Sequence, residues 1–116
     1  MADFAENFED LQIWQQARVL ANAIYDAVEL CRDYTFRDQI RSAAISCMNN
    51  IAEGFERKSP KDFGHFLDIA KGSSGEVRNM LYLGEDRKYL DAERAEELRL
   101  SYRGLSKGIA AFRRRL

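Results

Sequence analysis

Residues 95–116 read AEELRLSYRGLSKGIAAFRRRL, and this stretch decides the fold. Its apolar side chains recur at alternating steps of three and four residues: Ala95, Leu98, Tyr102, Leu105, Ile109, Phe112 and Leu116. That spacing draws one apolar stripe along an α-helix, and such a stripe is buried only against neighbouring helices. Asp91 is well placed to cap the helix. The stretch therefore predicts a helix over about 92–115 that packs within a bundle.

Three more helices are predicted upstream. Ser59 and Pro60 supply an N-cap oxygen and a first-turn proline, which predicts a helix over about 60–88. Apolar residues at helical spacing predict two others, over about 10–33 and 37–57. Four amphipathic segments with short connections and no alternating strand pattern predict one all-α domain over 1–116, an up-down-up-down antiparallel four-helix bundle.

Composition favours a cytoplasmic protein with no membrane partner. The 116 residues are 46% hydrophobic and 32% charged, as in ordinary globular chains. The longest uncharged window, residues 42–52, is too short to span a bilayer. The acidic start, MADFAENFED, lacks the apolar region of a secretory signal.

Charge is distributed unevenly along the chain. The net charge of −1 argues against a dedicated nucleic-acid binder, yet the last 18 residues carry six bases and no acid. Two interpretations stay open. Cations at a helix C-terminus offset the helix dipole, and the same cations can bind phosphate. The residues concerned are Arg99, Arg103, Lys107, Arg113, Arg114 and Arg115.

Catalytic and metal-binding constellations are not apparent in the sequence. Cys31 and Cys47 have no second pair and read as buried thiols. The only histidine, His65, follows Asp62 at the spacing of half a di-metal motif, and half a motif cannot hold two metals. We therefore expect no enzyme activity, no cofactor and no metal; a metal or small-ligand bundle centred on His65 is a distant alternative.

The stretch 49–55, NNIAEGF, places amides, a carboxylate and a glycine within the second predicted helix. A carboxylate near a core costs several kcal/mol unless it is paired. We predict a hydrogen-bonded network between the second and third helices that satisfies these groups. The alternative is a set of solvated surface pairs worth a few tenths of a kcal/mol. The network residues are Arg41, Ser46, Asn50, Glu53, Arg57 and Glu76.

Glycines are unusually frequent inside the predicted helices. Each costs roughly 0.8 to 1 kcal/mol relative to alanine, so six of them sum to about 5 kcal/mol. The sequence thus predicts close backbone approach by a partner helix, either within the bundle or across a subunit boundary. The six are Gly64, Gly72, Gly75, Gly84, Gly104 and Gly108.

Several motifs resemble one known family. Leu11-x-x-Trp14-x-x-Ala17 resembles its opening motif, and QIRSAAIS at 39–46 followed by NIAEGFER at 50–57 resembles its most recognisable block. The third helix matches its signature at Phe63, Phe66, Leu67, Ala70, Gly72, Ser73 and Glu76. The chain thus resembles the small bacterial proteins encoded in intervening sequences of 23S ribosomal RNA genes, also called four-helix bundle proteins.

This resemblance implies a helical bundle that assembles into a ring of five subunits, with no known catalysis. Relatives linked to diversity-generating retroelements act as reverse-transcriptase accessory proteins and contact nucleic acid through a basic surface. Where the family commonly has proline, this chain has Met48, which predicts a straighter second helix. Helix packing or oligomer contact is expected at Trp14, Gly54, Phe63, Phe66, Gly72, Ser73 and Gly75.

Two functional hypotheses follow. The first is a non-enzymatic homo-oligomeric scaffold, probed by its mass in solution. The alternative is a nucleic-acid-associated accessory protein that uses the basic C-terminal helix, and salt-sensitive binding of RNA or single-stranded DNA distinguishes it.

Overall fold

The computed structural model describes residues 5–116, which form four α-helices after a short 3-10 helix at Phe8–Asp10. The helices are α1 (Gln12–Ala27), α2 (Tyr34–Phe55), α3 (Pro60–Asp86) and α4 (Ala92–Arg114). Each helix packs against two neighbours, since α1 contacts α2, α2 contacts α3, α3 contacts α4, and α4 contacts α1. Helices α1 and α3 lie diagonally across the bundle, as do α2 and α4. The predicted all-α four-helix bundle is confirmed. Residues 1–4, which the predicted domain included, lie outside the described part.

Side-chain caps fix the starts of three helices. Asp33, Ser59 and Asp91 each accept a hydrogen bond from a backbone N–H three residues later, at 3.1, 3.1 and 2.7 Å. The sequence identified Ser59 and Asp91 as caps. It placed the start of α2 near residue 37, whereas the Asp33 cap begins this helix at Tyr34.

The predicted end of the first helix near residue 33 is wrong. The helix stops at Ala27, and Val28 to Leu30 form a turn. Val28 is 1% exposed and Cys31 is half-buried, so both still pack on the core from outside the helix. An apolar stripe indicates which residues are buried and does not show whether they are helical. Periodicity alone therefore predicted a helix that was too long.

The core lies along the bundle axis and is built from the predicted stripes. The α4 positions Ala95, Leu98, Tyr102, Leu105 and Ile109 are all buried. α2 passes through Met48 as one uninterrupted helix. None of the helices within residues 5–116 is long and apolar enough to cross a membrane.

Candidate functional site

The predicted network between the second and third helices exists only in part. Ser46 Oγ lies 2.8 Å from Ser73 Oγ, which joins α2 to α3. Asn50 Nδ2 donates to the Ser46 carbonyl oxygen at 2.8 Å and to Ser46 Oγ at 3.1 Å. Asn50 thus bonds within its own helix and supports the serine that bridges to α3.

The other four network residues lie elsewhere. Arg57 pairs with Glu53 at 2.9 Å on the surface, as the alternative interpretation expected. Glu76 of α3 accepts a hydrogen bond of 2.6 Å from Gln39 Nε2 of α2, so it does join the two helices, at the surface and apart from the Ser46–Ser73 pair. Arg41 stacks over the Tyr25 ring of α1 at 4.7 Å. A single six-residue network is therefore wrong, because these side chains leave α2 and α3 in different directions around each helix.

A second serine cluster, which the sequence did not reveal, joins α3 to α4. Ser74 Oγ donates to the Tyr102 carbonyl oxygen at 3.1 Å and lies 2.7 Å from Ser106 Oγ. Since the Ser74 proton is used by the carbonyl, Ser106 donates to Ser74. Ser73 and Ser74 thus face different partner helices. Two adjacent serines in the middle of a helix are the sequence feature that could have indicated these two contacts.

Five of the seven residues expected at helix or oligomer contacts make contacts within the bundle, and Ser73, described above, is one of them. Trp14 is 8% exposed and meets Phe8 edge-on at 5.2 Å. A Cβ at Gly54 would stand 2.7 Å from Phe66 Cβ and 2.9 Å from Phe63 Cδ1, so α2 and α3 approach closely there. The Phe63 ring lies 5.5 Å from Phe112 and closes this end of the bundle.

Gly72 and Gly75 behave differently from Gly54. A Cβ on either glycine would find no atom of the described chain within 4 Å, and the same holds for Gly104. Gly84 is packed like Gly54, because its Cβ would stand 2.8 Å from the Phe36 ring. Close approach within the bundle is thus wrong for Gly72, Gly75 and Gly104.

The basic C-terminal residues divide into engaged and exposed groups. Arg99 bonds Glu85 at 2.8 Å and Glu96 at 2.9 Å and lies 4.2 Å from the Tyr82 ring centre. Arg113 pairs with Asp68 at 3.2 Å, and its guanidinium covers Gly64. Carboxylates of the described chain thus engage both cations, Arg99 at a largely buried site and Arg113 at a partly exposed one, so neither is free to bind phosphate as the phosphate-binding interpretation requires.

Three of the remaining cations are exposed and lie along the outer face of α4. Arg103, Lys107 and Arg114 form no ion pair or hydrogen bond with any residue of the described chain. Arg115 lies 5.5 Å from the Phe112 ring centre. We call Arg103, Lys107 and Arg114 the α4 cation row.

The titratable groups that could serve catalysis or metal binding are dispersed. Burial raises the pKa of the Cys47 thiol to about 12, which leaves it protonated at neutral pH. His65 is exposed and meets the Phe66 ring edge-on at 5.8 Å. Across residues 5–116 there is no group of three or more His, Cys, Asp or Glu side chains with metal-site geometry.

A groove of about 610 Å³ lies between α1 and α4. Every residue that lines it is uncharged, in a protein that is 32% charged. We call this the α1/α4 groove; its lining residues include Gln12, Gln16, Val19, Leu20, Ser101 and Gly104. The sequence did not reveal it, because it forms between helices at opposite ends of the chain.

Comparison with known proteins adds three findings. The family model described as 23S rRNA-intervening sequence protein matches residues 9–111. A crystal structure at 1.70 Å of a protein of unknown function from the S23 ribosomal protein family, from Bacteroides thetaiotaomicron VPI-5482, superimposes with a TM-score of 0.81. It is 22% identical, and the alignment covers 87% of this chain and 97% of that one, which shows a shared fold. No curated protein matches the chain.

Proposed function

The chain belongs to the 23S rRNA-intervening sequence protein family, and from that premise we propose that it is a non-enzymatic scaffold that works as a homo-oligomer, with five subunits as the expected form. The description of the matched family names no enzymatic activity. The scattered titratable groups described above are consistent with a protein that binds rather than catalyses.

The observation that carries this proposal is the set of uncovered helical glycines. Gly72, Gly75 and Gly104 together cost about 3 kcal/mol relative to alanine. Nothing inside the described chain approaches them closely enough to require a missing side chain. A neighbouring subunit that packs against these bare backbones offsets the cost, as close helix approach does elsewhere.

Exposed apolar side chains next to these glycines support the same proposal. Ile69 is 40% exposed one turn before Gly72, and Val19 is 67% exposed in the groove beside Gly104. Burying such side chains in a subunit contact contributes roughly 25 cal/mol for each Å² removed from water. Oligomerisation therefore supplies the compensation that the isolated chain lacks.

Light scattering on the purified protein tests the proposal directly. At micromolar concentration we expect a particle of five times the 13.4 kDa subunit mass. A particle of 13.4 kDa, unchanged as the protein is concentrated, contradicts the homo-oligomer. A stable assembly of another size keeps the scaffold and corrects its subunit number.

A second candidate function, nucleic-acid binding, is favoured by the α4 cation row. Three exposed and unpaired cations on one helix face are suited to successive phosphates of a single strand. An oligomer repeats the row on every subunit. The net charge of −1 argues against strong binding by the isolated chain, so this role depends on assembly.

Binding of single-stranded RNA or DNA at several salt concentrations tests this candidate. The triple variant R103Q/K107Q/R114Q should weaken binding and flatten its salt dependence by a slope of about 2, since each phosphate contact contributes roughly −0.7. The matched control is R32Q/K58Q/K71Q, which removes three exposed cations from other elements. Equal loss in both variants, or no binding at low salt, contradicts a specific role for the row.

A further inference from the structure

Arg41 is a half-buried cation that has no anionic partner within the described chain. Its Nε is buried and has no hydrogen-bond partner among the described residues. Its two terminal nitrogens bond no described residue either, and they reach solvent at the edge where α1 and α2 meet. Burying part of a charge without a partner costs free energy, and a nearby anion is attracted strongly because little water screens the pair.

Tyr25 holds this guanidinium in place. The Arg41 guanidinium carbon lies 4.7 Å from the Tyr25 ring centre, so a side chain of α1 supports a side chain of α2. A guanidinium that lies over a ring keeps its in-plane N–H groups for another partner, and two of these groups match two oxygens of a phosphate or carboxylate. The donors are therefore oriented in advance, which lowers the entropy lost when a ligand binds.

Arg37 lies beside Arg41, one turn earlier on the same side of α2. Its guanidinium carbon lies 4.6 Å from the Tyr34 ring centre, and its Nε is 3.3 Å from Asp38 Oδ1. The Asp38 side chain is 66% exposed, and a solvated pair of this kind contributes little. Because a helical side chain leans toward the N-terminus of its helix, Arg41 extends toward Arg37. We call Arg37 and Arg41 the arginine pair.

The carboxylates near the arginine pair are directed elsewhere. Asp26 follows Tyr25 by one residue, so it lies about 100° further around α1, on the outer side. Asp33 accepts hydrogen bonds from the first turn of α2 and from the Tyr89 hydroxyl. Glu29 is exposed in the turn after α1 and forms no ion pair with the described chain. Apart from the weak pair with Asp38, the two positive charges are not neutralised within the described chain.

Apolar surface adjoins the arginine pair. Ile45 follows Arg41 by one turn of α2 and is 40% exposed, and Tyr25 is 38% exposed. From Arg41 to Glu53, the intervening residues of α2 carry no charge. A free inorganic anion makes no use of such surface, whereas the organic part of a larger ligand is partly removed from water there.

We propose that the arginine pair binds the phosphate group of a small organic phosphate, whose organic part lies against Tyr25 and Ile45. A phosphate monoester carries a charge of about −1.5 to −2 at pH 7, which two arginines match better than they match the single charge of a carboxylate. This site lies at the α1/α2 edge, away from the α4 cation row, and it does not depend on the number of subunits.

Equilibrium dialysis against labelled adenosine monophosphate at low salt tests the site, with unlabelled adenosine and inorganic phosphate as competitors. The variants are Arg37→Gln, Arg41→Gln and Arg41→Lys. Arg18→Gln is the matched control, because Arg18 also lies over an aromatic ring, 5.6 Å from the Trp14 centre, and has no ion pair within the described chain. Circular dichroism of all four variants verifies folding.

The expected result is that adenosine monophosphate binds, that inorganic phosphate competes more weakly than the unlabelled nucleotide, and that adenosine does not compete. Arg37→Gln and Arg41→Gln should each weaken binding by about tenfold or more, the usual loss for a charge-assisted hydrogen bond. Arg41→Lys keeps the charge but loses the planar donors, so its affinity should lie between those of Arg41→Gln and the wild type. Arg18→Gln should bind like the wild type.

Other outcomes overturn the proposal. If neither the nucleotide nor inorganic phosphate binds the wild type, the arginine pair is not a phosphate site. Competition by adenosine as strong as that of the nucleotide shows that the phosphate group is not recognised, and equally strong competition by inorganic phosphate contradicts an organic ligand. Equal loss in Arg18→Gln assigns the binding to overall charge. If Arg41→Gln fails to fold, unchanged binding by Arg37→Gln is enough to reject the pair.

Discussion

At the scale of single residues, Tyr102 is fully buried and its hydroxyl has no hydrogen-bond partner among the described residues. Burial raises the pKa of this phenol, so it stays protonated at neutral pH. A buried hydroxyl without a partner costs about 1 to 3 kcal/mol. Tyr102→Phe should therefore raise the free energy of unfolding by about 1 kcal/mol, as measured by urea denaturation.

Ser74→Ala is the matched comparison, because the Ser74 hydroxyl is equally buried and fully bonded. Its removal leaves the Ser106 hydroxyl without an acceptor and should lower the free energy of unfolding by about 1 kcal/mol. If Tyr102→Phe destabilises the protein as Ser74→Ala does, the phenol hydroxyl has a partner in solution.

Alanine at two glycines should change stability in opposite directions. At Gly54 the new methyl meets Phe66 Cβ at 2.7 Å, so Gly54→Ala should destabilise by about 1 to 3 kcal/mol through overpacking. At Gly72 the methyl meets nothing inside the chain, so Gly72→Ala should stabilise the isolated subunit by about 1 kcal/mol. Denaturant unfolding under dissociating conditions measures both. Destabilisation by Gly72→Ala would show that Gly72 is packed within the subunit.

At the scale of elements, the caps could be read from the sequence and the helix ends could not. Ser59-Pro60 and Asp91 correctly predicted the starts of α3 and α4, because a cap is a local hydrogen bond between residues three apart. The end of α1 depends on Val28 and Cys31 packing on other helices, which no local pattern contains. The predicted end of the third helix near Lys88 overlooked the turn that follows Asp86.

Lys88 lies two residues after the end of α3, in a conformation that favours glycine. Its φ is 62°, and hydrogen bonds from Lys88 N to Glu85 O and from Tyr89 N to Gly84 O form a Schellman motif. A side chain there costs about 1 to 2 kcal/mol, so Lys88→Gly should stabilise the protein by about 1 kcal/mol in thermal unfolding. Lys88→Ala, which keeps a Cβ, is the control and should give no such gain. If Lys88→Gly and Lys88→Ala change the stability equally, the change comes from the lost charge and not from the backbone conformation.

The contact between the start of α2 and the α3–α4 turn should make stability depend on pH. Tyr89 Oη donates to Asp33 Oδ2 at 2.7 Å, and this bond, with the capping N–H of Phe36, lowers the pKa of Asp33 below its usual 3.8. A lowered folded-state pKa means that this stabilisation is present above pH 3.8 and is lost as pH falls through the folded-state value. Tyr89→Phe should move the Asp33 pKa back toward 3.8, as followed by carboxyl NMR titration.

The same bond raises the pKa of Tyr89 above 10, so its contribution is present below pH 10 and is lost as pH rises through the folded-state value. Phe at position 89 retains the ring contact with Phe36 at 5.1 Å, so the variant tests the hydroxyl alone. An unchanged Asp33 titration in Tyr89→Phe would mean that the phenol does not bond the carboxylate in solution.

At the scale of the whole molecule, periodicity was enough to predict the bundle, whereas the partners of individual polar side chains needed the packed helices. The pairing of Arg99 with Glu85 and that of Arg113 with Asp68 could not be predicted from the sequence, because each carboxylate lies on another helix. The α1/α4 groove joins residues about 90 positions apart. Surfaces of this kind arise from the arrangement of elements, and a local spacing rule cannot contain them.

A homo-oligomer of this chain should melt at a temperature that depends on protein concentration. Dissociation precedes or accompanies unfolding, so mass action stabilises the folded subunit as concentration rises. Over a roughly hundredfold range of concentration, the wild-type Tm should increase by several degrees. A wild-type Tm that is independent of concentration would mean that the subunits gain no stability from one another, and the cost of the bare helical glycines would then fall on the single chain.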